Sequence, residues 1–487
     1  MALQIELLSL GGESHKIEIE KTDTVWDVIK RAADLFGRPI QQLISGDAVL
    51  RPPEGIIGDL ISQHCVIQVV LGGEFRAVFA NSNAFAAVRA TDGSVMAWGL
   101  ALRGGDITDV QDQLVNVQYV AGGFGTFAAL KADGSVVTWG ISAYGGNSSR
   151  RVQEQLTDVQ HIYSATFAYA ALKTNGTVVS WGSLRGPDFR HVQDQLTTVQ
   201  RIYTTSYAFA ALKADGSVVA WGCHMTGGDC SAVQDQLTDV QHIVGALAAG
   251  FAALKADGSV VAWGRPEWGG DSSDVQDQLT NVQHICASYR SFAALKADGS
   301  AVTWGDPKAG GDYKTLQDQL THVQHIYPYP SGFVMVKTDG SVAMVGERCA
   351  KRHPDRPFTP APSKLADIQH IYSTGRSFAA LRTDGSVITW GEGEVGGWTE
   401  NSPLTNVQHI CHTDGAFAAL KTDGSVVTWG SAHFGGDSSR KQDQLTHVKT
   451  IVSTGVAFAA LKADGSIVAW GNPASNGGRH HLDQLMA

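Results

Sequence analysis

Hydrophobic and polar positions repeat along most of this chain with a period near 41 residues. The clearest copy runs from Val233 to Gly264, VQDQLTDVQHIVGALAAGFAALKADGSVVAWG, and close copies fill the chain from about residue 74 onward. Each copy holds three strand-like runs, here Val240–Ile243, Phe251–Lys255 and Ser259–Trp263. The second run is apolar on both of its faces, the mark of a strand covered on both sides. The second and third runs are joined by Asp257-Gly258, a pair suited to the two positive φ angles of a type I′ hairpin turn. The turn glycine recurs at Gly93, Gly134, Gly176, Gly216, Gly258, Gly299, Gly340, Gly385, Gly424 and Gly465, ten copies at spacings of 41, 42, 40, 42, 41, 41, 45, 39 and 41. A fixed period in this range belongs to propellers and solenoids. We expect an all-β repeat protein, a β-propeller of about ten short, three-stranded blades.

Nine of the twelve tryptophans keep the same rhythm: Trp98, Trp139, Trp181, Trp221, Trp263, Trp304, Trp390, Trp429 and Trp470, each before a glycine. One tryptophan per period reads as packing between blades. The seventh unit departs from the pattern. Val345 stands where tryptophan is expected, the glycine pair is missing, and the following linker carries Pro354, Pro357, Pro360 and Pro362. Prolines at that density speak against a regular strand there. The stretch near 347–364 is a candidate seam between seven blades and three. A single ring of ten is preferred, because units eight to ten regain the motif and three blades alone would expose strand edges.

Residues 1–73 follow a different pattern. Leu3, Ile5 and Leu7 alternate with smaller or polar neighbours, and Gly11-Gly12 leads into Lys16–Glu20, a hairpin with one buried face. Thr24 and Asp27 have capping-box spacing, Val25, Val28, Ile29 and Ala32 follow with helical period, and Gly37 and Pro39 end that helix. Two more strand-like runs, Gln42–Ser45 and Cys65–Leu71, precede Gly72-Gly73. This order, with its TDTVWDVI helix start and terminal di-glycine, resembles ubiquitin. The resemblance implies a small α+β β-grasp domain over 1–73 and a partner-binding patch at Ile44 and at Val70 or its neighbour Val69. The tail reads VVLGG without the basic residues of ubiquitin, and Glu74 continues directly into the repeats, so Gly73 is expected to remain uncleaved.

Residues 74–487 resemble the regulator of chromosome condensation repeat family: apolar strand, apolar strand, Asp-Gly turn, a strand ending Trp-Gly, then a glycine pair such as Gly227-Gly228, Gly269-Gly270 or Gly435-Gly436. The short period is nearer to the β-lactamase-inhibitor protein II branch. The resemblance implies a propeller with a binding role, although that family usually closes at seven blades and ten units are present here.

Composition narrows the function. A net charge of −10 lacks the basic stripe that sequence-independent nucleic-acid binding needs. No apolar run of about 18 residues exists to span a membrane, and the start MALQIELLSLGGES is unlike a signal peptide. Cys65, Cys223, Cys230, Cys286, Cys349 and Cys411 form no CxxC pair, which reads as reduced thiols in a cytoplasmic or nuclear protein. Asn147-Ser-Ser and Asn175-Gly-Thr match the glycosylation sequon, read here as coincidence. His161, His242, His284, His325, His370 and His409 recur in the first run, one repeat apart, a separation that argues against convergence on one metal ion. Asp112, Glu154, Asp194, Asp235, Asp277, Asp318 and Asp443 recur in the VQDQL segment, as a solvated acidic rim that would attract a basic partner.

No catalytic constellation, cofactor motif or metal site emerges, so we expect no enzyme. The leading reading is a protein–protein interaction scaffold or adaptor with ubiquitin-pathway components among its partners. Alternatives are a guanine-nucleotide exchange factor for a small GTPase, by resemblance, or a propeller-type enzyme inhibitor, which aromatic residues concentrated on one rim would favour. The irregular linker, with Arg348, Lys351, Arg352, Arg356 and Lys364 beside Phe358, is the expected contact loop of the propeller.

Overall fold

The computed structural model describes residues 75–184, 191–312, 320–346, 358–396 and 404–472, with the backbone alone at Phe358. Before residue 75 it describes Arg31 and the backbone of five strands. These are β1 (Leu3–Ser9), β2 (Ser14–Ile19), β3 (Ile40–Ser45), β4 (Ala48–Leu50) and β5 (Val66–Leu71). They form one sheet in the order β2-β1-β5-β3-β4, with β1 and β5 parallel and the other pairs antiparallel. Arg31 is helical, and the rest of the helix expected after Thr24 lies outside the described residues. Ile44 pairs with Gln68 and Val49, and Val70 pairs with Gln42.

The repeats form ten antiparallel sheets, one per unit: nine of three strands and one of four. In unit 5 the strands are Val240–Ala246, Gly250–Lys255 and Val260–Gly264. The first strand of each unit approaches the first strands of its two neighbours, so the first strands are innermost and surround a central channel. The third strand lies at the periphery.

The middle strand explains why the blades stack. Its sequence alternates small and large residues across the pleat. In unit 4, Ala208, Ala210 and Leu212 share one face, and Phe209 and Ala211 share the other. The small face, with Val218 and Ala220, packs against Ile243, Phe251, Ala253, Val261 and Trp263 of unit 5. Each blade thus offers a shallow alanine surface to the aromatic surface of the next. The aromatic surface is built on a cross-strand pair, Phe251 opposite Trp263, stacked with ring centroids 5.3 Å apart. Such a pair contributes about 0.5–1.5 kcal/mol beyond area burial. In six units among the described residues the tryptophan Nε1–H donates to a carbonyl of the preceding glycine pair, as from Trp263 to Gly227 over 2.9 Å. This joins consecutive units by polar as well as apolar contacts.

The ring closes. Phe75, Val78, Phe85, Met96 and Trp98 of unit 1 pack against Ala457, Ala459, Leu461, Ile467 and Ala469 of unit 10. No seam separates units 7 and 8, since Tyr329, Val334 and Val336 pack on Phe378, Ala380 and Trp390. Tyr329 lies within this junction, its ring edge-on to Phe378 at 5.1 Å and its hydroxyl donating to the Val345 carbonyl.

Two sequence expectations are corrected. The Asp-Gly turn is not type I′, because Gly258 has φ +78° while Asp257 is not in the positive-φ region. Gly258 N–H donates to the Lys255 carbonyl, closing a type I turn, and glycine follows in the left-handed region. Aspartate is present for a different reason: its carboxylate accepts from the amide and hydroxyl of Ser259, at 2.9 and 2.6 Å. The proline-rich linker also yields a short strand. Phe358–Thr359 pairs with Gly391 and Glu392 as the fourth, edge strand of unit 8, the one sheet position prolines tolerate nearby.

Candidate interaction surface

The turn between inner and middle strands varies from unit to unit, and on one side of the ring it is aromatic. Phe124, Phe167 and Tyr207 are half-buried at these turns in units 2, 3 and 4. Phe124 and Phe167 lie 5.3 Å apart between ring centroids, and Phe167 stacks on Tyr207 at 4.7 Å. Tyr144, from the short 3-10 turn after the outer strand of unit 2, packs edge-on to Phe167 at 4.7 Å. Arg103, from the equivalent turn of unit 1, covers Phe124 with its guanidinium carbon 4.9 Å from the ring centre.

The arc continues through units 5 and 6. Leu247 and Tyr289 occupy the turns and are 47% and 42% exposed, among the few large apolar side chains in water. Trp268 lies between two guanidinium groups, Arg265 at 3.7 Å and Arg290 at 4.3 Å. Arg290 also reaches Tyr289 and pairs with Asp306 at 3.6 Å. Backbone bonds between neighbouring turns hold the arc in place: Phe124 to Thr166, Ser206 to Leu247, Ala248 to Tyr289. A shallow depression lined by Phe124, Thr166, Thr204 and Leu247 joins its two halves. Across the ring, units 8 to 10 carry Gly375, Asp414 and Gly455 at these turns. Aromatic residues at the turns themselves are thus gathered in units 2 to 6, and on the far side Phe434 packs half-buried against Gly415.

The predicted residues fall elsewhere. Asp112, Glu154, Asp194, Asp235, Asp277 and Asp443 are exposed on turns beside the outer strands, and Asp318 lies outside the described residues. What the VQDQL motif builds is structural. Its first glutamine donates to the carbonyl that begins the outer strand, as Gln234 to Val218 over 3.1 Å, and its leucine is fully buried. Arg348, Lys351, Arg352 and Arg356 lie outside the described residues, as does the side chain of Phe358. Lys364 forms a backbone bridge to Ser341. Side chains at Ile44 and Val70 are likewise outside them.

The histidines depart from expectation. Being one repeat apart does not separate them, because the ring brings successive inner strands side by side. Their rings meet tyrosines of neighbouring units: Tyr119 on His161 at 6.0 Å, Tyr203 on His242 at 5.4 Å and Tyr372 on His409 at 5.8 Å. No group able to hold a metal ion is found among the described residues. The described cysteines, Cys223, Cys230, Cys286 and Cys411, are free, and burial pushes the Cys286 thiol up to about 12, far from a reactive thiolate.

No protein-family model and no curated protein sequence matches the chain. Among solved structures it is similar to Prp20p of Saccharomyces cerevisiae, reported with its binding to Gsp1p and histones. The identity is 13%, over 67% of this chain and 86% of that one, with a TM-score of 0.32. The ectodomain of the Arabidopsis thaliana receptor kinase ACR4 is 14% identical over 63% of this chain and 93% of its own, at a TM-score of 0.30. The computationally designed Ika8 protein is 12% identical over 82% and 96%, also at 0.30. Likenesses this distant carry no argument about what the chain binds.

Proposed function

We propose that this chain is a non-enzymatic interaction scaffold that docks a protein partner on the aromatic arc running from Phe124 to Tyr289. The observation that carries this reading is composition in place. Half-exposed tyrosine, tryptophan, phenylalanine and arginine, held by backbone bonds on a rigid rim, are the residue types that dominate binding energy at protein interfaces. A second docking module at residues 1–73, using Ile44 and Val70, would connect the scaffold to ubiquitin-pathway components. The five-stranded order with parallel β1 and β5 supports a β-grasp reading of that module.

One alternative gains from the same arc. Aromatic residues gathered on one rim favour a propeller that plugs the active site of an enzyme. An exchange role for a small GTPase rests on resemblance alone.

The test compares proteins recovered by proximity labelling of the full chain with those recovered by a Phe167→Ser, Tyr207→Ser, Tyr289→Asp variant. Affinity for the arc-dependent partner, measured with purified components, should fall more than tenfold, about 1.4 kcal/mol, while the melting curve stays in place. Unchanged binding of every recovered partner would overturn the proposal. Inhibition of a recovered enzyme, lost in the same variant, would select the plug.

A further inference from the structure

The inner strand of each unit carries a bulge. In unit 3, Val159 pairs with Lys173 and His161 with Leu172, leaving Gln160 as the extra residue. The same shift recurs in all ten units. The residue after the bulge is therefore equivalent around the whole ring: Ala77, Tyr119, His161, Arg201, His242, His284, His325, His370, His409 and Thr450. Because the inner strands are neighbours around the channel, these side chains form one annulus, cationic or ionisable over seven consecutive units. This is a local inversion of charge in a chain whose net charge is −10.

Arg201 is the fixed charge in that annulus. Its guanidinium lies 5.7 Å from the Tyr203 ring centre, and it makes no ion pair among the described residues. His161 and His242 flank it on the adjacent inner strands, exposed and half-buried respectively. The charged groups acting on them are cations: Arg201 on His161, and Arg201 with His284 on His242. Tyrosines complete the surroundings. Tyr119 and Tyr163 pack on His161, and the Tyr203 hydroxyl lies 3.4 Å from His242 Nδ1. Arg201 is exposed and has no carboxylate partner among the described residues, and the imidazoles on either side are held below the ordinary histidine value first by desolvation and then by its charge. Guanidinium groups match phosphate oxygens with two parallel donors, and an anion seated there would favour protonation of both imidazoles.

We infer that the channel holds a binding site for a multivalent phosphate anion, with Arg201 as its anchor and His161 and His242 as donors that protonate on binding. His284, on the next inner strand, extends the site for a chain of phosphates. The site is separate from the aromatic arc and does not depend on the docking role proposed for it.

Calorimetric titration of the full chain with tripolyphosphate at low ionic strength tests this. Saturable binding is expected, at least tenfold tighter at pH 6.0 than at pH 7.5, with proton uptake seen as a buffer-dependent enthalpy. Arg201→Gln should weaken it at least tenfold at both pH values without moving the melting curve. Arg201→Lys, which keeps the charge but not the fork, should fall between them. The double change His161→Gln, His242→Gln should keep binding at pH 7.5 and lose the gain at pH 6.0. Absence of binding by the unaltered chain at both pH values would overturn the inference. So would binding that Arg201→Gln leaves intact, since the anion would then sit on another basic segment.

Discussion

The amide of Phe75 donates to the carbonyl of Gly465 over 3.1 Å, joining the first repeat to the turn of the last. On the opposite face Gly455 donates to Ser82 over 3.2 Å. Two residues nearly 400 positions apart are thus ordinary neighbours, and unit 1 is packed on both faces, against unit 10 and against unit 2. A closed ring transmits damage both ways around the circle, whereas an open array transmits it only along the chain. Ala459 is fully buried at this junction. Ala459→Phe should cost about 1–3 kcal/mol by overpacking, and hydrogen exchange should rise in units 10 and 1 together. Loosening of unit 10 with unit 1 unchanged would mean that the junction does not hold.

Gly258 sits at φ +78° in the turn of unit 5, and a Cβ added there would lie 3.1 Å from the Asn281 Cα of unit 6. Gly258→Val combines backbone strain with an inter-blade clash and should cost about 1–3 kcal/mol. Exchange should increase first at the turn and at the start of the unit 6 inner strand. Chemical denaturation with an unchanged midpoint would contradict this.

Thr198 points the other way. The residue before each inner strand of units 2 to 10 adopts a left-handed conformation, with φ between 54° and 60°. Eight of these nine positions hold Asn, Asp or His, which tolerate it, and Thr198 is the β-branched exception at φ 55°. Thr198→Asn should stabilise the ring by about 1 kcal/mol, read as a higher denaturation midpoint. A lower midpoint would show that the threonine makes a compensating contact.

The channel histidines set a pH dependence. Partial desolvation against the neighbouring inner strands holds His161, His242, His370 and His409 below the ordinary histidine value, with added repulsion from Arg201 at the first two, from His284 at His242 and from His409 at His370. The unfolded chain, with histidines near 6.5, then binds protons more readily than the folded ring. Their contribution is fully present above about pH 6.5 and is lost as pH falls through the lowered folded values. The carboxylates of these Asp-Gly hairpins do not confuse this window. Asp133, Asp215 and Asp257 are held below the ordinary carboxylate value by bonds from the following serines, so they stay ionised there. Melting temperature should drop between pH 6.5 and 5, and drop less in His161→Gln, His242→Gln. A flat profile would mean that the imidazoles titrate as if in water.

The repeat, its strands and the stacking of blades were legible in the sequence because they recur, and recurrence multiplies a weak local signal. Turn chemistry was half legible. Asp257-Gly258 marks a hairpin, but the Ser259 bonds that select type I over type I′ are visible only in three dimensions. The channel was misread because sequence distance stood in for spatial distance, and a closed ring makes His370 and His409 neighbours. The aromatic arc was missed for the opposite reason. Phe124, Phe167, Tyr207, Leu247 and Tyr289 occupy turn positions where units differ, so reading for what repeats passes over them. Listing what varies at each equivalent turn would have found them.

Hydrogen exchange of the full chain with and without its recovered partner tests the docking claim most directly. Protection is predicted at the turns around Phe124, Phe167, Tyr207, Leu247 and Tyr289, with little change at the same turns of units 8 to 10. Protection confined to the Asp-Gly hairpins, or to the turns at Gly375, Asp414 and Gly455, would contradict it.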